Sequence, residues 1–274
     1  MSAIAAAMLD YDFMRRAFAA ALLVGVAAPA VGVFLVQRRL ALIGDGLGHV
    51  AVTGVALGLL LERAPVFVAL LTAVAGAVLI ELIRARGEAF AEIALAILFY
   101  GGIAGGVVLV SRAPSGGRTL DQYLFGSITT TTSTDVATFA MLAAGVVALT
   151  LRLGPALFAV SNDEPFARAS GLPVVRLNVT LAVLTAMTVV VSMRVVGVLL
   201  VSALMVVPVA TAQLVARSFR ATYAIAVVIG ALVSVGGVAT AYSADTPSGG
   251  TIVLLAIAVF LVVLLAQSAR TRRA

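Results

Sequence analysis

The chain has 274 residues, of which 62% are hydrophobic and only 11% charged, and its mean hydropathy is +1.18. A soluble domain of that composition would expose very large apolar patches, so the chain is an integral membrane protein. It contains no cysteine and no lysine. The first absence excludes disulfides, thiolate metal sites and cysteine nucleophiles, and the second excludes a GxxxxGK[ST] nucleotide loop, whose lysine must reach the terminal phosphates. The net charge of +6 does not point to nucleic acid, because the 18 arginines are scattered between apolar runs like the loop charges of a polytopic membrane protein.

Residues 1–14 read as a short interfacial helix, and nine spans follow: 15–36, 40–61, 65–83, 91–110, 136–158, 175–193, 196–216, 222–241 and 251–268. Each is near the ~20 residues that cross the hydrocarbon, and the count carries an error of one, giving eight to ten. The expected fold is an all-α polytopic helical bundle forming one transmembrane domain over residues 1–274. Paired arginines before an apolar run and "VAAPA" resemble a secretory signal, but the run continues to Val36 and suits a first spanning helix better. Pro29 and Pro208 fall inside spans and are expected to kink them. The polar run "TTTTSTD", residues 129–135, reads as a cap and helix start.

Orientation follows from the arginines. With a cytoplasmic C-terminus, Arg38, Arg39, Arg84, Arg86, Arg152, Arg168, Arg176, Arg217, Arg220, Arg270, Arg272 and Arg273 fall on the cytoplasmic side, twelve against six, and the N-terminus lies outside. Arg15 and Arg16 pull the other way, partly offset by Asp10 and Asp12.

The second span holds the only histidine, His49, four residues after Asp45. That spacing puts both on one helix face, about 7 and 13 Å along the axis, with the imidazole near the midplane. Ionisable groups at that depth face the protein interior or a water-filled path and are paired with something. Two readings stand: a structural hydrogen-bonded pair locking this helix to a neighbour, or a transient ligand pair for a divalent transition metal. Gly44, Gly46, Gly48, Gly54 and Gly58 keep the helix narrow, for close packing or for open space beside the pair. A closed structural zinc site is disfavoured by one histidine and no cysteine, whereas weak coordination suits an ion that must leave.

The segment "RRLALIGDGLGHVAVTGVALG" resembles the second-helix signature of permease subunits of bacterial ABC importers for zinc, manganese and iron. "AEIALAILFYGGIAGGVVLVS", "LDQYLFGSI", "DEPFARASGLPVVRLN", "MRVVGVLLVSALMVVPVATAQL" and "TPSGGTIVLL" agree with the same family in order and spacing, so the resemblance covers nearly the whole chain. It implies that Asp45 and His49 belong to the metal path. Glu92 falls where the family has an acidic residue opening the fourth span, although Ala91 and Ala96 depart from the pattern. Asp121 and Asp245 match acidic positions on the outer side, where they would attract a cation to the mouth or else serve as ordinary loop and cap residues.

Residues 161–173 resemble the helix by which such permeases couple to their ATPase; the plain alternative is a connecting helix. Asn162 or Asp163 reads as its N-cap, Glu164 and Pro165 as its first turn, and Gly171 as its C-cap; Asp163, Glu164, Ala167, Arg168 and Gly171 are the expected coupling positions. The resemblance further implies a non-enzymatic homodimeric subunit in the bacterial inner membrane. Its implied partners are a separate cytoplasmic ATPase that binds ATP and an extracytoplasmic metal-binding protein, with Zn2+ ahead of Mn2+ as cargo and no permanently bound cofactor. Two rivals remain: an ion- or proton-coupled secondary carrier using Asp45 and His49 as a relay, and a non-transport assembly subunit.

Overall fold

The computed structural model describes residues 11–112, 123, 124, 126 and 131–271, and every regular element within them is helical. In chain order these are α1 (Asp12–Gln37), α2 (Ile43–Leu60), α3 (Pro65–Arg84), α4 (Glu88–Val110), α5 (Ser133–Arg152), α6 (Gly154–Asn162), α7 (Glu164–Ala169), α8 (Val174–Val196), α9 (Val198–Val215), α10 (Phe219–Ala244) and α11 (Ser248–Thr271). The interfacial helix expected over 1–14 falls mostly on residues 1–10, outside the described residues, and residues 12–14 belong to the spanning helix α1.

Helix ends follow local chemistry. Thr132 and Asp135 form a reciprocal capping box at α5, its side-chain arm running from the Asp135 amide to Thr132 Oγ1 at 3.2 Å. Ser218 Oγ accepts from the Ala221 amide to open α10. Gly197 alone separates α8 from α9, with φ 89° and ψ 151°, a conformation in practice reserved for glycine. The 136–158 span is divided: α5 stops at Arg152, and Gly154 with Pro155 starts the separate helix α6.

By length and composition eight helices can cross a membrane, namely α1 to α5, α8, α10 and α11, and α9, an apolar helix of 18 residues, matches α2 in length. Chain direction nonetheless alternates as the arginine count requires. Arg38 after α1 and Arg84 ending α3 both reach Glu164 of α7, and Phe158 of α6 packs on Phe219 opening α10. These turns share one end of the bundle, the arginine-rich end. At the opposite end Arg194 of α8 is ion-paired with Asp135 of α5.

The hub is α1, packed by α5, α8, α9 and α10, with 72% of its apolar window buried against 17% for α4 and for α11, which therefore turn most of their surface outward. Pro29 is tolerated inside α1 because Gly230 of α10 lies against its ring. Several buried threonines satisfy themselves on their own helices: Thr185 donates to Leu181 O at 2.7 Å and Thr188 to Leu184 O at 2.7 Å, whereas the buried hydroxyls of Ser192, Ser202 and Ser234 find no partner among the described residues.

Glycine sets the closeness of the helices. A Cβ on Gly32 of α1 would overlap the Met205 carbonyl of α9, and one on Gly102 of α4 would sit 2.8 Å from the His49 carbonyl carbon and the Val50 nitrogen. Gly32→Ala and Gly102→Ala are expected to lower the thermal unfolding midpoint of detergent-solubilised protein, consistent with an overpacking cost of about 1–3 kcal/mol. Gly145→Ala, where nothing lies within 4 Å of the new carbon, is expected to leave it unchanged or slightly raised. Size-exclusion profiles after heating check this, and equal losses in all three would remove the packing explanation.

Candidate functional site

The helix carrying Asp45 and His49 begins at Ile43, not at 40, because residues 38–42 are spent in a tight turn with Arg39 at φ 60°. Gly32 of α1 and Gly44 of α2 both abut Met205, so α2 starts level with a point roughly 8 Å inside the end of α1. Its ionisable residues are thereby carried deeper than a start at 40 would take them. His49 lies level with Gly102, fourteen residues into α4 and about 21 Å from that helix's start. His49 is thus level with the middle of the apolar stretch Ile93–Val110 of α4.

All five glycines of α2 serve close packing rather than open space. Gly44 faces Ser202 and Met205 of α9, Gly46 faces Leu95 of α4, Gly48 faces Val198, and Gly54 and Gly58 admit the backbone of α3 at Ala69 and Pro65. Opposite them, Gly102, Gly105 and Gly106 of α4 meet His49, Val52 and Thr53, whereas Gly101 touches nothing within 4 Å. Thr53 Oγ1 donates to the Gly102 carbonyl at 2.5 Å, joining α2 to α4 one turn beyond His49.

His49 is half-buried, its ring meeting the edge of Phe99 at a centroid distance of 4.5 Å. Neither the imidazole nor the Asp45 carboxylate makes a hydrogen bond or ion pair with another described residue. The locking pair that one reading required is therefore not formed among the described residues. No third histidine or carboxylate joins them within the described residues either. Glu92 belongs to α4, but its side chain lies outside the described residues.

A cavity of about 780 Å³ is lined by Asp45 but not by His49. Arg39 and Arg84 stand among its lining residues, with Leu40, Leu95 and Ala96 as apolar walls; Asp45, Phe99 and Tyr100 line it too, with His49 one turn further behind the Phe99 ring. A polar group at the inner side of a largely apolar cavity is the arrangement by which pockets orient a small charged ligand.

The second group of expected residues gathers at the arginine-rich end. Asp163 caps α7, its Oδ1 accepting the Phe166 amide at 2.9 Å, and Gly171 at φ 80° closes the helix just after Ser170. Glu164 turns inward and accepts from Arg38 at 3.2 Å, Arg84 at 3.0 Å, Arg168 at 3.1 Å and Asn178 at 3.4 Å. Ala167 is fully buried, so the outward surface of α7 is made by Phe166, 66% exposed, with Arg168 beside it. A second cavity, of about 930 Å³, runs between α7 and the Arg38 and Arg84 side chains.

At the opposite end Asp245 is exposed and ends α10 in the left-handed conformation at φ 49°, a position aspartate tolerates better than most side chains. Asp121 lies outside the described residues.

Sequence reasoning missed the partners. Arg38 and Arg84 served only to set orientation, and Glu81, 3% exposed and bonded to Arg84 at 3.2 Å, was passed over. The available signal was a carboxylate inside an apolar span one helical turn before an arginine. Phe99 and Phe166 carried no pattern that distinguishes them from ordinary apolar positions.

Comparison with known proteins bears on the family and the fold. Residues 10–267 match the ABC 3 transport family. A probable metal transport system membrane protein of Treponema pallidum is 33% identical over 97% of this chain and 100% of its own length. The manganese import system permease protein ScaB of Streptococcus gordonii is 31% identical over 92% of this chain and 91% of its own. Among solved structures, PsaBC from Streptococcus pneumoniae in complex with Fab superposes with a TM-score of 0.85 at 30% identity, covering 96% of this chain and 94% of that one. With nearly its whole length matched, this multi-pass helical membrane protein belongs to the ABC 3 transport family.

Proposed function

We propose that the chain is the permease subunit of an ATP-binding cassette importer that moves a divalent transition metal across the bacterial inner membrane. The observation that carries the reading is the Asp45 and His49 pair: two metal-binding side chains one turn apart, deep in the bundle, without polar partners among the described residues, next to a cavity. An ion held there would fill its remaining positions with water or with donors from outside this chain, which suits brief residence and release. Imidazole and carboxylate do not discriminate zinc from manganese; the name of one relative, a manganese import permease, supports taking manganese as the first ion to test, with zinc beside it.

The permease works as a homodimer of single-domain subunits, with ATP bound and hydrolysed on a separate cytoplasmic subunit, since no lysine is present to build a phosphate loop. Residues 161–173 couple the two, and the exposed Phe166 on α7 is the apolar knob that would enter a cleft of the ATPase. An extracytoplasmic binding protein delivers the ion at the opposite end, where the exposed Asp245 attracts it.

Proteoliposomes holding the chain with its ATPase and binding protein test the reading through uptake of radioactive manganese and zinc. Wild type is expected to accumulate metal only with ATP available to the ATPase, and His49→Ala and Asp45→Ala to reduce uptake about tenfold or more while the complex still assembles. Uptake independent of ATP would point to a secondary carrier. Loss of assembly in both variants would return the pair to a structural role.

Phe166→Ala is expected to weaken association with the ATPase by about 30-fold, the loss of a buried hot spot worth about 2 kcal/mol. Titration of the detergent-solubilised chain with labelled ATPase reads this directly. An unchanged affinity would move the docking surface away from α7.

A further inference from the structure

Docking does not explain the position of Glu164. Its carboxylate faces away from the exposed side of α7 and holds three guanidinium groups within 3.2 Å, those of Arg38, Arg84 and Arg168. Two of these belong to the membrane bundle: Arg38, with its side chain 5% exposed, follows α1, and Arg84, 14% exposed, is the last residue of α3. The Asn178 amide adds a tie to α8 at 3.4 Å.

Arg84 and Leu40 line both the cavity beside α7 and the cavity that Asp45 lines. One arginine is thus shared by the coupling end and the cavity beside Asp45. Arg38 stands in the short turn that launches α2 at Ile43, two residues before Asp45. Displacing α7 must therefore either carry Arg38 and Arg84 with it or strip the carboxylate from nearly buried cations, and stripping one partner from such a pair is the costly alternative. Arg84 would keep Glu81 at 3.2 Å, whereas Arg38 has no other carboxylate among the described residues.

We infer that Glu164 is a transmission residue: it clamps α7 to the α1–α2 turn and to the end of α3, so that movement of α7 is passed to the helix bearing Asp45 and His49. The inference rests on the importer reading, and Glu164 is a positioning residue that touches neither ion nor nucleotide. Its distinguishing readout is the amount of metal moved per ATP hydrolysed, a ratio that mere loss of folded protein does not change.

The experiment measures manganese uptake and phosphate release in the same proteoliposomes, with the complete complex, for wild type, Glu164→Gln, Glu164→Asp and the double variant Arg38→Gln with Glu164→Gln. The double variant removes both charges, so no uncompensated buried cation threatens folding. Metal per ATP is expected to fall about fivefold or more in Glu164→Gln and in the double variant, with partial recovery in Glu164→Asp. An unchanged ratio in assembled Glu164→Gln complex overturns the inference, as does failure of both the single and the double variant to assemble, which would make the clamp purely structural. Absence of ATP-dependent uptake in wild type would remove the importer reading and the inference with it, whereas wild-type uptake with an unchanged variant ratio removes the inference alone.

Discussion

Hydrocarbon gives apolar helices no reason to leave it for one another, so a bundle in lipid depends on how closely its backbones approach and on what polar groups it shares. In this chain that constraint is concentrated on α2. Its glycines admit α9 on one side, α4 on another and α3 on a third, and Gly102 of α4 returns the contact directly onto the backbone of His49. Among the described residues the only histidine is therefore held by main-chain packing, with no hydrogen bond to its ring. A helix gripped in this way fixes its side chains without consuming their polar atoms. Asp45 and His49 remain chemically available because α2 is positioned by residues that have no side chain.

The launch of α2 extends the same logic. A helix beginning at 40 would have started near the membrane surface, but the turn through Arg39 and the contact of Gly44 with Met205 draw its first residue inward. Asp45 then occupies the first turn, where the amide ends of the helix favour a negative charge, and it does so next to a cavity instead of in bulk water. The depth of the pair comes from the preceding turn as much as from the helix itself.

The bundle was legible in the sequence because a hydrocarbon thickness imposes a run length, and runs of about twenty apolar residues need no tertiary information to be seen. Capping was equally local: Thr132 with Asp135, Asp163 with Phe166, and Gly171 all act within four residues. What was not legible depends on distant segments meeting. Glu164 looked like an exposed first-turn acid, and nothing near it in sequence announces that Arg38, 126 residues away, and Arg84, 80 residues away, converge on it. The break at Leu153 was hidden for a different reason: Gly154 and Pro155 sit inside an apolar stretch whose hydropathy continues across them, so composition masks the change of direction that backbone chemistry imposes. The glycines of α2 could be recognised as special, yet packing and open space predict the same residue type, and only the neighbours decide between them.

The charged groups within and beside the bundle fall into two classes, and the contrast is itself informative. Glu164 and Asp135 are matched by guanidinium groups where they stand, and Glu81 shares Arg84 with Glu164. Asp45 and His49 make no side-chain hydrogen bond or ion pair with other described residues, and among these only each other and the amide end of α2 offset their charge. Arg39 and Arg84 share a cavity with Asp45 without pairing with it, so on the importer reading a cation arriving there would meet a carboxylate whose oxygens are not already taken. The same reasoning limits how tightly that cation is held. Two donors on one helix face compensate it only partly, and an ion partly compensated by the protein retains a share of its water and a route back to it.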